Sequence, residues 1–360
     1  MAQAILRDST SSYSNRCIPG TVLACSYPAS TRMRLVQLSL ISANLFRCIG
    51  LCSAISTRAA PKFLIVSAPQ HGKVSYAKLD GKGEASGEMS ALIETGLVHP
   101  QGLAVDAIRK RLFVAEPQAR KIFAYNLTRH GDRLIAGPQE VAAEGTEARW
   151  VATDAFGNLL FTDEPANQVM RVSADRLQQG HHTPEAMFSG SSLIEVSAPG
   201  GIATDGINTI WVNKALGTHV GSVVSALQSA SHTKASSARA LSSNVDKSYG
   251  ICMAMNNVFY TQPDKSIYAV KRRGGEPTLI SDKLAHPRGC VWDGQNTVYV
   301  ADRGSNVVYS FPGATTSLSA MQLSVAAHAE DAFGVAIFTS SAHRRALASF
   351  FALCVIWMQL

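Results

Sequence analysis

A six-bladed β-propeller, an all-β ring of six four-stranded antiparallel sheets, is the fold this sequence predicts. Three observations predict it: a glycine-led apolar module that recurs six times, a β-branched and aromatic run after each module, and a further run of alternating apolar and polar residues. Units recurring at about 40 to 50 residues that cannot bury both of their faces alone must stack on neighbours of the same kind.

The first strand of each unit is read from "GLAVD" (Gly102), "WVATD" (Trp150), "GIATD" (Gly201), "GICMA" (Gly250), "GCVWD" (Gly289) and "GVAIF" (Gly334). The second is "IVSA" (65–68), "FVAE" (113–116), "LFTD" (160–163), "IWVN" (210–213), "FYTQ" (259–262) and "YVAD" (299–302). β-branched and aromatic residues suit a pleated, buried surface. The third, in the same order, is "KVSYAKL", "KIFAYNL", "QVMRVSA", "HVGSVVSA", "SIYAVKR" and "NVVYSFP", with the period of two expected of a half-buried strand. A weaker fourth strand is placed at "EMSALI", "QEVAAE", "PEAMFS", "ARALSS", "PTLISD" and "AMQLSV". The Ser/Ala-rich stretch 225–244 reads as a long loop between the outer strands of blade four.

The repeats begin at Phe63 with a second strand and end at Gly334 with an extra first strand. Those two pieces complete one blade, which closes the ring and removes its open strand edges. The propeller therefore spans 61–340, between a leader (1–60) and a C-terminal segment (341–360) that carries a basic patch and an apolar tail.

The chain of 360 residues is 46% apolar and 16% charged, with a net charge of +7. The positive excess sits at the ends, where Arg7, Arg16, Arg32, Arg34, Arg47, Arg58, Arg344 and Arg345 face only Asp8. The body is neutral and shows no basic stripe with interleaved aromatics, so a nucleic-acid partner is not expected. From Met33 the leader runs "MRLVQLSLISANLFRCIGLCSAIST", a basic start, an apolar stretch and small residues at a cleavage site. That pattern predicts a secretory signal, with an Arg- and Ser-rich organellar transit peptide as the alternative. The tail "ALASFFALCVIWMQL" after His343-Arg344-Arg345 is short for a transmembrane span and resembles a lipid-anchor signal; a segment packed on the fold is the other reading. The expected address is secreted or at the cell surface through this tail, or else an organelle. Of seven Cys, only Cys252 and Cys290 fall in the repeats. They lie two and one residues after their glycines, hence on opposite faces of neighbouring inner strands, and are expected to be free buried thiols.

Asp106, Asp154, Asp205 and Asp293 occupy one position in four blades, where strand one turns into strand two. Repetition at a turn points to carboxylates that accept backbone N–H bonds, not to a functional ring. His99 and His286 precede their glycines by three residues, with no third ligand in register, so they are read as parts of a His-Pro-x-Gly turn and no metal site is expected. Neither GxSxG nor HExxH is present, no catalytic residue is assigned and no cofactor is required. The loops into strand one and out of strand two gather on one rigid face, where binding resides in such scaffolds. The candidate rim is Gln101, Arg149, Trp150, Gly200, Tyr249, Arg288 and Phe333 on the entering side, with Glu116, Asp163, Asn213, Gln262, Asp302 and the adjoining Arg303 on the leaving side. Arg and Tyr are favoured anchors for a polypeptide or polar ligand. Asn126-Leu127-Thr128 is a candidate glycosylation sequon.

Modules such as "FGNLLFTDEPANQVMRV" and "TVYVADRGSNVVYSF" resemble the NHL repeat and the YWTD (low-density lipoprotein receptor class B) repeat, over about 62–340. The resemblance implies a TolB-like six-bladed propeller that binds protein or polar ligands without catalysis. The fold also resembles gluconolactonase-type and strictosidine-synthase-type propeller enzymes, whose lactonases carry a Glu just before the first module's glycine position. None of the six residues at that position is acidic here, which counts against metal-assisted hydrolysis.

Overall fold

The computed structural model describes residues 60–340 apart from 192–194, 215–220, 230–237, 246 and 264. The expected leader, save its last residue, and the apolar tail lie outside the described residues, as does most of the tip of the blade-four loop.

Blade one holds β1 (Lys62–Ala68), β2 (Lys73–Lys78) and β3 (Ser90–Ile93). Blade two holds β4 (Leu103–Asp106), β5 (Arg111–Glu116), β6 (Lys121–His130), β7 (Arg133–Ala136) and β8 (Glu140–Glu144). Blade three comprises β9 (Ala148–Thr153), β10 (Leu159–Asp163), β11 (Gln168–Val172) and β12 (Glu185–Ser189), with helix α1 (Ala174–Gln178) before its last strand. Blade four comprises β13 (Pro199–Thr204), β14 (Asn208–Asn213), β15 (Gly221–Leu227) and β16 (Arg239–Val245). In blade five are β17 (Ile251–Ala254), β18 (Asn257–Thr261), β19 (Ile267–Lys271) and β20 (Thr278–Ser281). Blade six has β21 (Pro287–Trp292), β22 (Thr297–Asp302), β23 (Val307–Pro312) and β24 (Ser324–His328), and the chain ends its described part in β25 (Val335–Thr339).

Ring closure is as expected: β25 pairs antiparallel with β1, from Lys62 opposite Thr339 to Val66 opposite Val335, and completes blade one. Blade two departs from four strands. β6 is long enough to pair β8 with its first half and β7 with its second, so an extra hairpin extends this blade. In blade six the fourth strand lies at 324–328, later than "AMQLSV", because Leu318, Met321 and Leu323 are drawn into the apolar core shared with blade five. The Ser/Ala-rich loop is shorter than 225–244, since β15 runs on to Leu227 and β16 begins at Arg239.

The core consists of apolar layers between successive blades. Phe113, Ile122 and Ala124 of blade two meet Val151, Leu159 and Phe161 of blade three, and the same arrangement recurs around the ring. The repeated glycines let the innermost strands converge. A Cβ on Gly250 would stand 2.2 Å from the Arg288 carbonyl oxygen, and one on Gly201 2.4 Å from that of Tyr249. In place of side chains, backbone bonds cross between blades, from Gly201 N to Tyr249 O (2.7 Å) and from Gly289 N to Phe333 O (2.9 Å).

The four repeated Asp residues behave as turn caps. Asp106 Oδ1 accepts from Ile108 N and Arg109 N, Asp154 Oδ1 from Asn158 N, Asp205 Oδ1 from Ile207 N and Asn208 N, and Asp293 Oδ1 from Gln295, Asn296 and Thr297 N. Burial works to raise the Asp293 pKa, but the Lys62 ammonium and the Gln295 and Thr297 amides outweigh it and hold the carboxyl below the usual Asp value.

The cysteines require a correction. Cys252 and Cys290 form a disulfide with Cα atoms 5.6 Å apart. Facing opposite ways on β17 and β21 is what brings them together, because each blade presents one face to the blade before and the other to the blade after. Cys252 looks forward from blade five, Cys290 looks back from blade six, and both lie in the apolar layer between those blades.

Candidate functional site

The loops into strand one and out of strand two form one face, here the upper face. Its geometry begins with the side chains at the ends of the second strands. Glu116 accepts the amides of Val98 and His99; Asp302 accepts those of Ala285, His286 and Gly304 and the Ser305 hydroxyl. Asp163 accepts from the Thr146 hydroxyl and from Glu147 and Ala166 N, and Asn213 Oδ1 from Ser197 N. With Gln262, these five are buried. The reading of Glu116, Asp163, Asn213, Gln262 and Asp302 as ligand-facing rim residues is therefore corrected: each lies within its own blade, and four of them hold that blade's entering loop. Burial raises the Glu116 pKa even though two amides stabilise its charge. His99 and His286 contribute backbone N–H groups to this scheme, in the turn role the sequence suggested.

The other groups of the upper face lie on the entering side, or one residue beyond these anchors, and of them Trp150, Phe333 and Lys214 are themselves buried while Arg149, Tyr249, Arg288 and Arg303 are partly exposed. Strand-two hydroxyls fix the entering backbone: Ser67 Oγ donates to Gln101 O, Thr162 Oγ1 to Gly200 O and Thr261 Oγ1 to Arg288 O (2.7 Å). On that support, Trp150 of blade three and Phe333, which leads into β25 of blade one, stack with ring centroids 5.3 Å apart. Blades one and three are not neighbours, so the stack lies across the mouth of the central channel. Below it the channel encloses about 290 Å³, walled by the six innermost strands.

Arg288 sits beside this stack. Its guanidinium carbon lies 4.5 Å from the Tyr249 ring centroid and 5.9 Å from that of Phe333, and Nη1 donates to Pro287 O (2.9 Å). A cation held on aromatic faces is stabilised by about 0.5 to 2 kcal/mol per contact, depending on its solvation. Desolvation lowers the Arg288 pKa, with Tyr249 and Asp302 acting in the opposite sense.

The other cations of this face have acidic partners. Lys214, 5.8 Å from the Tyr249 centroid, pairs with Glu164; Arg149 pairs with Glu147 (2.9 Å) and approaches Glu164 (4.0 Å); Arg303 pairs with Asp331. Burial lowers the Lys214 pKa against the pull of Glu164. Arg288 has no carboxylate partner among the described residues. Beside it a cleft of about 690 Å³ is lined by Gln70, His71, His286, Arg288, Arg303 and Asp331, among others. Two more polar atoms near the mouth, Gln101 Oε1 and Arg149 Nε, are buried without a hydrogen-bond partner.

The structure thus brings together Arg149, Trp150, Tyr249, Arg288 and Phe333 from the expected rim and sets Arg303 at its edge. Lys214 and Glu164 were not anticipated. Each follows a buried strand-end anchor by one residue, the place Arg303 holds after Asp302. Asn126 is exposed on β6, its amide nitrogen 3.4 Å from Glu140 Oε1, so the sequon is accessible. Among the described residues no three His, Cys, Asp or Glu side chains group as metal ligands, and no helix is long and apolar enough to cross a membrane.

No family model matches the chain, and no curated protein matches it. Solved structures do. A chain from a nidogen/laminin complex superposes with a TM-score of 0.60 at 17% identity, over 78% of this chain and 100% of that one. The periplasmic gluconolactonase PpgL of Pseudomonas aeruginosa gives 0.51 at 12% identity, with the same coverage of 78% and 100%. At these identities the likeness is one of fold, and the fold of this chain is a six-bladed β-propeller closed by pairing of its first and last described strands.

Proposed function

We propose that this protein is a non-catalytic binding propeller of the NHL or YWTD type, secreted or held at the cell surface, which grips a polypeptide by an acidic side chain on its upper face. The observation that carries this reading is Arg288. Its guanidinium lies over the Tyr249 ring and near that of Phe333, partly desolvated and without a carboxylate among the described residues, while Lys214, Arg149 and Arg303 each have one. Such a group is preorganised for a bidentate carboxylate, and the buried Trp150–Phe333 stack supports it from beside. A similar solved chain comes from a protein–protein complex. The disulfide favours an oxidising compartment, and exposed Asn126 is compatible with the secretory route.

The test is a displayed library of random peptides selected on the full-length protein. Selected peptides should share an Asp or Glu, and Arg288→Met should weaken them about 30-fold, roughly 2 kcal/mol, with little change in thermal stability. Peptides without an acidic residue that bind Arg288→Met equally well would refute the reading. A lactonase-type or lyase-type enzyme is the alternative class; stoichiometric divalent metal in the purified protein, lost on Asp163→Ala or Asn213→Ala, would favour it.

A further inference from the structure

The opposite, lower face carries the turns between strands one and two. In four consecutive blades those turns end in an exposed apolar side chain: Ile108 (71%), Phe156 (66%), Ile207 (66%) and Met255 (58%). Singly, exposed apolar residues need no explanation. Here they recur at one turn in successive blades, and three of the turns are fixed by the capping Asp residues, so the side chains are held outward. The tips are also linked. Arg109 of blade two donates to Phe156 O, the Phe156 ring approaches Gly206 of the next turn, and Arg272 of blade five pairs with Asp205. An apolar arc results, with Lys110 and Arg273 beside it, both exposed and without an acidic partner among the described residues.

We propose that this lower face rests on a lipid bilayer, with the four tips at the boundary between headgroups and acyl chains and the cations facing anionic headgroups. Apolar side chains flanked by Lys and Arg are the composition that interfacial binding requires. The same cations would oppose a symmetric pairing of two such faces. The exit of the chain points the same way: β25 runs toward this face, where Ser340 N donates to Pro61 O (3.1 Å). The apolar run that follows Arg344-Arg345 starts six residues beyond Ser340, a tether of at most about 20 Å. If that run, or a lipid exchanged for it, enters the membrane, the ring cannot turn over, and the upper face with Arg288 points into water. The inference rests on membrane attachment through the C-terminal segment, and the experiment separates the two.

Full-length protein and its Phe156→Trp variant are mixed with vesicles of phosphatidylcholine and phosphatidylserine whose acyl chains are brominated, then floated on a gradient. Flotation reads attachment; the fluorescence of Phe156→Trp above that of the parent reads contact of the face. The expected result is flotation with at least about twofold quenching of the added fluorescence, and an affinity about tenfold weaker when all four tips are changed to Ser (Ile108→Ser, Phe156→Ser, Ile207→Ser, Met255→Ser). Flotation without quenching would overturn the inference and leave attachment standing. Absence of flotation would overturn both. Blue-shifted emission from the added Trp before vesicles are present would mean that protein covers the face, and would overturn the inference.

Discussion

Replacing both Cys252 and Cys290 by Ala removes the covalent link between the inner strands of blades five and six. The bridge closes a loop of 38 residues. In the chain-entropy account, a loop of that length is worth about 4 kcal/mol through its restriction of the unfolded state. Removing two sulfur atoms from the layer that holds Phe259, Val298 and Val300 adds about 1 kcal/mol of lost packing. For roughly 280 residues of ring, unfolding entropy of about 2.1 cal/mol/K per residue gives close to 0.6 kcal/mol per degree. The double variant should therefore melt about 7 to 9 °C below the parent in differential scanning calorimetry, with one cooperative transition retained. Alkylation and mass analysis of the native parent should find these two thiols blocked. A variant that melts within about 2 °C of the parent, or two alkylatable thiols in the native protein, would refute the argument that opposed parity on adjacent inner strands makes the bridge.

Ending the chain at Gly334 removes β25, which leaves β1 with a bare edge and blade one with three strands; the expected result is loss of the cooperative melt of the whole ring by circular dichroism, and a normal melt would disprove closure by strand pairing. Gly250→Ala puts a methyl group against the Arg288 carbonyl, and urea denaturation should show a loss of at least about 2 kcal/mol. The Asp293 carboxyl has its pKa lowered on folding, so its contribution is present above the unfolded value of 3.8 and is lost as pH falls through the lower folded value. Lys62→Met removes the ammonium that helps to lower it and should move the acid-unfolding midpoint upward in a pH titration followed by tryptophan fluorescence; an unchanged midpoint would dismiss the pair as a source of acid stability.

What could be read from the sequence was what repeats. The glycines and the Asp turn caps are local signals present in most copies, and counting them gave the ring, its order and its closure. Features that depend on a neighbouring blade were harder to read. Parity within single strands places Cys252 and Cys290 on opposite faces, but in a ring those faces confront each other, which parity alone does not say. Glu116, Asp163 and Asp302 look like rim acids in sequence because a charge at a strand end is usually solvated. Their burial follows from the unpaired amides of the entering loops, which a sequence does not display. The partly exposed charges are therefore one residue further on, at Glu164 and Arg303, with the buried Lys214 paired to Glu164. The Trp150–Phe333 stack joins blades that are not adjacent, so no nearest-neighbour argument reaches it, and a four-strand repeat has no place for β7, the fifth strand of its blade.

Arg288 is proposed to await a carboxylate, and its coupling to that group can be measured. A double-mutant cycle measures it most directly: titration calorimetry of a selected acidic peptide and of its Asp→Asn or Glu→Gln twin, each against the parent and Arg288→Met. Either change alone should weaken binding by tenfold or more, about 1.4 kcal/mol, and the second change should add little once the first is made. Losses that simply add would show that the carboxylate binds elsewhere, and would contradict the pairing.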